Sequence, residues 1–254
     1  MRWDPRQQAM LQEIGIRLWL PDVDALVPPA QAEAVPVAER SPPTRVAKAV
    51  VEPVDARRAE IATLDAPELA ARAAACTACA LSAGRSRAVF SAGAERADWM
   101  VVGEAPDADD DRAGAPFAGR AGQLLANMLH AIGLARDNAG PSPRVHLTHA
   151  VKCAPPGARL PEPGEVAACA AFLQRQVQLV QPRIIVAMGR VAAQGLLGTS
   201  EAVGRLRGRV HHCQRIPVIV TEAPGYLLRH PQGKADAWED LCLAVETVTQ
   251  SRSG

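Results

Sequence analysis

Four of the six cysteines sit in local settings that mark them as ligand candidates: Cys76-Thr-Ala-Cys79, Val-Lys-Cys153-Ala-Pro-Pro and Glu165-Val-Ala-Ala-Cys169. A close CxxC pair with two distant single cysteines can surround one 4Fe-4S cluster, because soft thiolates hold iron–sulfur centres and a fold can bring remote sulfurs together. Zinc is the competing occupant of such a set. Four unrelated packing thiols are the third reading, since only Cys76 and Cys79 have ligand-like spacing. The remaining pair, Cys213 and Cys242, reads as packing residues.

For these cysteines to meet, the chain between them must fold back on itself, and its pattern says how. Asp98 to Gly103, Arg144 to Thr148, Arg183 to Met188 and Pro217 to Thr221 are short apolar runs of strand type, and 122–132, 165–179 and 234–249 carry helical spacing. Strands alternating with helices predict an α/β domain: a three-layer α/β/α sandwich with a central, mostly parallel sheet. The Gly-, Pro- and charge-rich stretches follow the strand C-termini, where ligands bind in such sheets. Upstream, residues 21–56 hold prolines at 21, 28, 29, 36, 42, 43 and 53 without a sustained period and read as a linker. The expected organisation is therefore a 1–20 segment, a 21–56 linker and a 57–250 domain.

From about Cys76 to about Leu243 the chain resembles the iron–sulfur uracil-DNA glycosylases, family 4 most closely. The resemblance rests on CTAC, Gly103-Glu-Ala-Pro106, Gly114-Ala-Pro-Phe117-Ala-Gly-Arg-Ala-Gly122, Leu-Thr148-His149-Ala-Val-Lys152-Cys153, Arg183-Ile-Ile-Val-Ala-Met-Gly189, Leu206-Arg-Gly208 and Thr221-Glu-Ala-Pro224-Gly-Tyr226-Leu-Leu-Arg229, in order. It implies a 4Fe-4S cluster on Cys76, Cys79, Cys153 and Cys169, stacking of a flipped base on Phe117, and water-orienting carboxylates among Glu104, Asp110 and Asp111, to which this chain adds Asp107 as a further candidate. Three positions depart from the family pattern. Asp107 stands where the first motif has glycine, and His149 where an asparagine reads the Watson–Crick edge. Ala223 stands where a histidine stabilises the departing base. Each changes the donor and acceptor inventory, and a lost transition-state donor costs about 3 to 4 kcal/mol. A His230-Pro231 pair follows, out of register with the motif.

The N-terminal run Gln8-Ala-Met-Leu11-Gln-Glu-Ile14-Gly15-Ile16-Arg-Leu-Trp19 resembles the start of the psi subunit of the bacterial DNA polymerase III clamp loader. An apolar-faced segment this short is marginal as an isolated helix, and on a proline-rich tether it suits folding on a partner. The resemblance implies Leu11, Ile14, Ile16 and Trp19 as clamp-loader contacts. Packing of the segment on its own domain is the plainer reading. Two functional classes follow: a replication subunit built on a glycosylase scaffold with impaired excision, or an active DNA glycosylase of altered specificity.

Composition bounds both. With 254 residues, 48% of them apolar, the chain can bury a substantial core, and a net charge of +1 excludes strong whole-molecule attraction to DNA. DNA contact then needs a local basic face. Arg205, Arg207, Arg209 and Arg215 beside His211 and His212 are candidates, equally readable as a solvated hairpin or loop, and Arg183, Arg190 and Arg229 are scattered around the same half of the domain. No apolar run of membrane-spanning length and no signal-peptide pattern occurs, so a cytoplasmic, reducing setting with no membrane partner is expected. No motif for a nucleotide cofactor is read.

Overall fold

The computed structural model describes residues 54–135 and 144–250. The segments assigned to partner binding (Leu11, Ile14, Ile16, Trp19) and most of the proposed linker lie outside these residues. The first described element, helix α1 (Val54–Ile61), begins inside the stretch read as linker. Helix α2 (Ala66–Ala74) follows, started by a reciprocal capping box: Glu68 N–H donates to Asp65 and Asp65 N–H donates to Glu68.

Six strands form one sheet: β1 (Ser91–Gly93), β2 (Trp99–Gly103), β3 (Val145–His149), β4 (Ile184–Met188), β5 (Val210–Cys213) and β6 (Ile216–Thr221), ordered β1-β3-β2-β4-β6-β5. The four central strands are parallel, while β1 and β5 close the two edges antiparallel. The central strands are buried along almost their whole length, as parallel strands covered on both faces must be.

Side chains alternate between two cores with the period of two that pleating dictates. Met100, Val102, Ile185, Ala187, Val218 and Val220 share one core with α1, α2, helix α5 (Pro163–Val180), helix α6 (Arg190–Leu197) and the single turn α7 (Val203–Leu206). Trp99, Val101, Leu147, Ile184, Val186 and Ile219 point the other way, onto helix α4 (Arg120–Ala131) and helix α9 (Lys234–Gln250). The expected three-layer α/β/α arrangement is thus the observed one.

The connection from β2 to β3 carries α4 on one face, and the connections from β3 to β4 and onward to β6 carry α5 and α6 on the other. The loop after β2 therefore opens at the point where the crossovers change side, which leaves a crevice at the strand C-termini. Short helices α3 (Ala108–Ala113) and α8 (Pro224–Arg229) border it.

Candidate functional site

A cavity of about 490 Å³ opens at that crevice. Its walls come from the C-terminal ends of all four parallel strands: Gly103-Glu104 after β2, His149 of β3, Met188-Gly189 after β4 and Glu222-Ala223 after β6. The structure brings Glu104, Asp107, Asp110, Phe117, His149 and Ala223 together there. Asp111 is not among the lining residues. Its carboxylate accepts from Ser86 N–H (2.9 and 3.0 Å) and Arg87 N–H (3.2 Å), so it ties down the chain ahead of β1 instead of facing the cavity.

Asp107 initiates α3. Its Oδ1 accepts from the amides of Asp109 and Asp110, both at 2.9 Å, a carboxylate at a helix N-terminus where orphan N–H groups favour negative charge. This cap turns Asp110 inward, where only 2% of it is exposed. Asp110 Oδ2 accepts from His149 Nε2 at 2.8 Å and Oδ1 from Ala118 N–H at 2.6 Å. Burial alone would raise the Asp110 carboxyl, but His149 and the Ala118 and Phe117 amides together hold it below the usual range. Asp110 thus spends both oxygens on protein donors.

The Phe117 ring lies 4.5 Å from the His149 ring at a tilt of 41°. Phe117 adopts a positive φ of 57°, an uncommon conformation for a bulky residue and one that persists only where its surroundings enforce it. Here the surroundings are Gly103 and His149. A Cβ at Gly103 would collide with His149 Nδ1 and come within 2.7 Å of Phe117 Cζ, so glycine is required for the rings to close over the end of β2. His149 Nδ1 is left buried with no hydrogen-bond partner among the described residues.

Glu104 projects across the end of β4. Gly189 has a φ of 97°, and a Cβ there would approach Glu104 Cδ to 2.5 Å. Glu104 Oε1 accepts from Val191 N–H at 3.1 Å, occupying the N-terminus of α6. Burial raises this carboxyl above its ordinary value. Ala223 is the N-cap of α8 and offers a methyl group in place of a donor. The out-of-register His230 packs its ring 4.3 Å from Tyr226 and does not line the cavity.

Sequence reasoning missed Arg159 and Glu222 as lining residues; Arg190 and Arg229, read as candidates for a basic face, and Tyr226, part of the last motif, also line the cavity. Arg159 is committed to Glu165 through two bonds of 2.7 and 2.8 Å. Glu222 and Tyr226 stood one and three residues from Ala223, which was the available signal. The Arg205–Arg215 run resolves into α7 and the β5–β6 hairpin. Arg207, the C-cap of α7, pairs with Asp236 (3.0 Å) and Asp240 (2.9 Å), so it joins the end of α7 to α9 and is not a DNA-facing charge.

The four candidate ligands Cys76, Cys79, Cys153 and Cys169 line a second, much smaller cavity of about 10 Å³ beneath α5. Three donors reach their sulfurs: Arg57 to Cys76 (3.2 Å), Arg85 to Cys153 (2.9 Å) and the Lys152 amide to Cys169 (3.3 Å). Burial pushes the Cys153 thiol up and that of Cys169 to about 11, so as free thiols they stay protonated. Among the described residues no three His, Cys, Asp or Glu side chains are already drawn to the spacing of a closed metal site. Convergent sulfurs with N–H donors aimed at them nevertheless suit a sulfur-ligated group that displaces the thiol protons. The adjacent Lys152 is fully buried, bonding Thr148 Oγ1 (2.7 Å), His149 O (2.5 Å) and Gln176 Oε1 (2.6 Å), and burial lowers it to about 7. No described helix is long and apolar enough to cross a membrane.

Comparison with known proteins agrees with this architecture. The Uracil DNA glycosylase superfamily model matches residues 90–243. The chain is 36% identical over 174 residues to the type-4 uracil-DNA glycosylase of Archaeoglobus fulgidus, spanning 65% of this chain and 84% of that protein. It is 44% identical over 175 residues to the type-4 enzyme of Sulfurisphaera tokodaii, spanning 65% of this chain and 77% of that protein. A shorter match, 39% over 107 residues, joins it to the type-5 enzyme of Pyrobaculum aerophilum, with 39% of this chain and 47% of that protein covered. By the strand-end cavity and by these relatives alike, the chain belongs to the uracil DNA glycosylase superfamily.

Proposed function

We propose that the larger cavity receives a base flipped out of DNA and that the chain hydrolyses its N-glycosidic bond, with a base-reading set different from that of its type-4 relatives. The observation that carries this reading is the Asp110–His149–Phe117 cluster, buried at the C-terminal ends of the parallel strands under a cavity of about 490 Å³, a size within the usual range for small-ligand sites. The base lies against the Phe117–His149 floor. His149, fixed by Asp110, presents an imidazole where an amide would both donate and accept, which shifts the preference among bases. Both of Asp107's bonds to the start of α3 use Oδ1, and its second oxygen is the group that takes a proton from the attacking water.

Cys76, Cys79, Cys153 and Cys169 hold a 4Fe-4S cluster, supported by their convergence on one cavity and by the three N–H donors to sulfur. The cluster supplies a cross-link among three chain segments and takes no part in base release.

Ala223 supplies no donor to the leaving base, so uracil release runs about two decades below that of a relative with histidine there. Incubation of the cluster-loaded chain with uracil-containing single- and double-stranded oligonucleotides tests the reading: slow abasic-site formation supports it, and none at all refutes it. Ala223 also favours a second reading, in which the domain binds without excising and serves replication through a clamp loader gripped by Leu11, Ile14, Ile16 and Trp19. Pulldown of the assembled loader by the full chain, lost on deleting residues 1–20 or on Trp19→Ala, is the result that reading requires.

A further inference from the structure

Glu222 sits where the sequence lost its leaving-group donor. It follows the last residue of β6 and precedes Ala223, it lines the cavity, and its carboxyl makes no hydrogen bond or ion pair among the described residues. The sheet order places β4 between β2 and β6. Glu104, at the end of β2, leans over Gly189 at the end of β4, an approach that only a missing Cβ permits, and therefore reaches toward the β6 side. Neighbouring strands lie about 4.8 Å apart, so the two backbones are separated by roughly 10 Å, and the Glu104 carboxyl, placed over the intervening strand β4, is close enough to act on Glu222 electrostatically. One Glu104 oxygen is held by Val191 N–H, which points the group along this line.

Two carboxyls sharing one poorly hydrated wall do not both ionise easily. Burial is the main reason that Glu222 lies above its ordinary value; Glu104, Asp240 and Asp236 add to the rise, and Arg207 opposes it. Glu104 is raised as well, by burial working against the Val191 and Arg190 amides. Asp107, Arg190 and Arg229 line the same cavity, while Arg207 is engaged by Asp236 and Asp240 behind it.

We infer that Glu222 is the general acid of the reaction, delivering its proton to the departing base from the position next to the vacated histidine site. The inference rests on the glycosylase reading above. As the bond between C1′ and the base nitrogen breaks, its electron pair stays with the base, which takes the Glu222 proton and leaves neutral. Water adds to C1′ and gives its proton to the Asp107 carboxylate, and exchange with solvent then restores both groups. The scheme needs no oxidant, reductant or further reactant. It favours bases that leave by protonation over those that leave as bare anions stabilised by donors, and this is the specificity change that Ala223 makes necessary.

The rate is carried by protonated Glu222. It therefore falls as pH rises through the apparent value of the Glu104–Glu222 pair. The test is single-turnover release of uracil from a single-stranded oligonucleotide by the full, cluster-loaded chain, followed across about pH 5 to 9. Glu222→Gln is expected to lower the rate at least about a hundredfold and to abolish the alkaline fall, while Glu222→Asp keeps the fall at reduced rate. Glu104→Gln removes the like charge and moves the fall to lower pH. A Glu222→Gln protein with wild-type rate and pH profile overturns the inference and leaves the glycosylase reading standing. A wild-type chain that releases no uracil at any pH overturns both.

Discussion

Replacing Asp110 by alanine should be among the most costly single changes in the cavity wall. Two donors lose their acceptor together: the buried His149 Nε2, bonded at 2.8 Å, and Ala118 N–H, bonded at 2.6 Å. His149 Nδ1 is already without a partner among the described residues, so the imidazole would be left with no polar contact from its ring. A buried donor stripped of its acceptor costs about 1 to 3 kcal/mol, and a lost hydrogen bond to a carboxylate about 1.5 to 3. The expected loss is thus about 3 to 5 kcal/mol, equivalent to roughly 10 °C in Tm for a domain of this size. Urea unfolding of the cluster-loaded protein, read by the fluorescence of buried Trp99 and by far-UV circular dichroism, measures it. The pH dependence has a definite sign. Asp110 is depressed in the folded state, so its contribution is fully present above the ordinary aspartate value of about 4 and fades as pH falls through the lower folded value. Wild type and Asp110→Ala should therefore converge in stability only in that acid window. A difference below about 1 kcal/mol at neutral pH would refute the reasoning, because a surface salt bridge costs that little to lose.

Other outcomes follow from the same geometry. Cys153→Ala should bleach the brown colour of anaerobically purified protein and its broad visible absorption, whereas Cys213→Ala and Cys242→Ala should leave both intact; a colourless wild type with one zinc would overturn the iron assignment. Gly103→Ala should cost about 1 to 3 kcal/mol by forcing Phe117 and His149 apart, and should abolish base-dependent DNA binding in a fluorescence-polarisation titration. The triple change Asp107→Gly, His149→Asn and Ala223→His should raise uracil excision above that of each single change by more than their product, since residues acting as a unit are non-additive.

The sheet was legible because its strands obey a period that burial enforces. Trp99 and Val101 face one core while Met100 and Val102 face the other, and the helices between strands are long enough to show their own spacing. The edges were not legible. β1 has three residues, too few to display alternation, and β5 reads Val-His-His-Cys, whose side chains are exposed or half-buried. α3 is built almost wholly of Asp and Ala, and it forms because Asp107 caps it, a local event with no hydrophobic signature. The cysteine set and Phe117 could be named from motifs, whereas the bond between His149 and Asp110 spans 39 positions and exists only once β2 and β3 are paired. Glu222 escaped notice for a similar reason: its partner Glu104 arrives from two strands away. Asp111 was misplaced because a run of three aspartates on a six-residue helix must point in several directions, and nothing local says which of them faces the ligand.

The guanidinium of Arg57 touches three things at once. It donates to Ala168 O at 2.7 Å on α5 and to Cys76 Sγ at 3.2 Å, and it lies 5.2 Å over the Phe172 ring. Helix α1 is otherwise mostly exposed, burying only Ile61 completely among its described side chains, so this one residue is its principal clasp to the domain. Oxidation or removal of the Cys76 sulfur would release one of the clasp's bonds, and α1 should then open locally without unfolding the sheet. Trypsin would report this as early cleavage after Arg57 or Arg58 in damaged protein while the rest of the chain stays protected, so the state of the cysteine cavity is readable at the first helix.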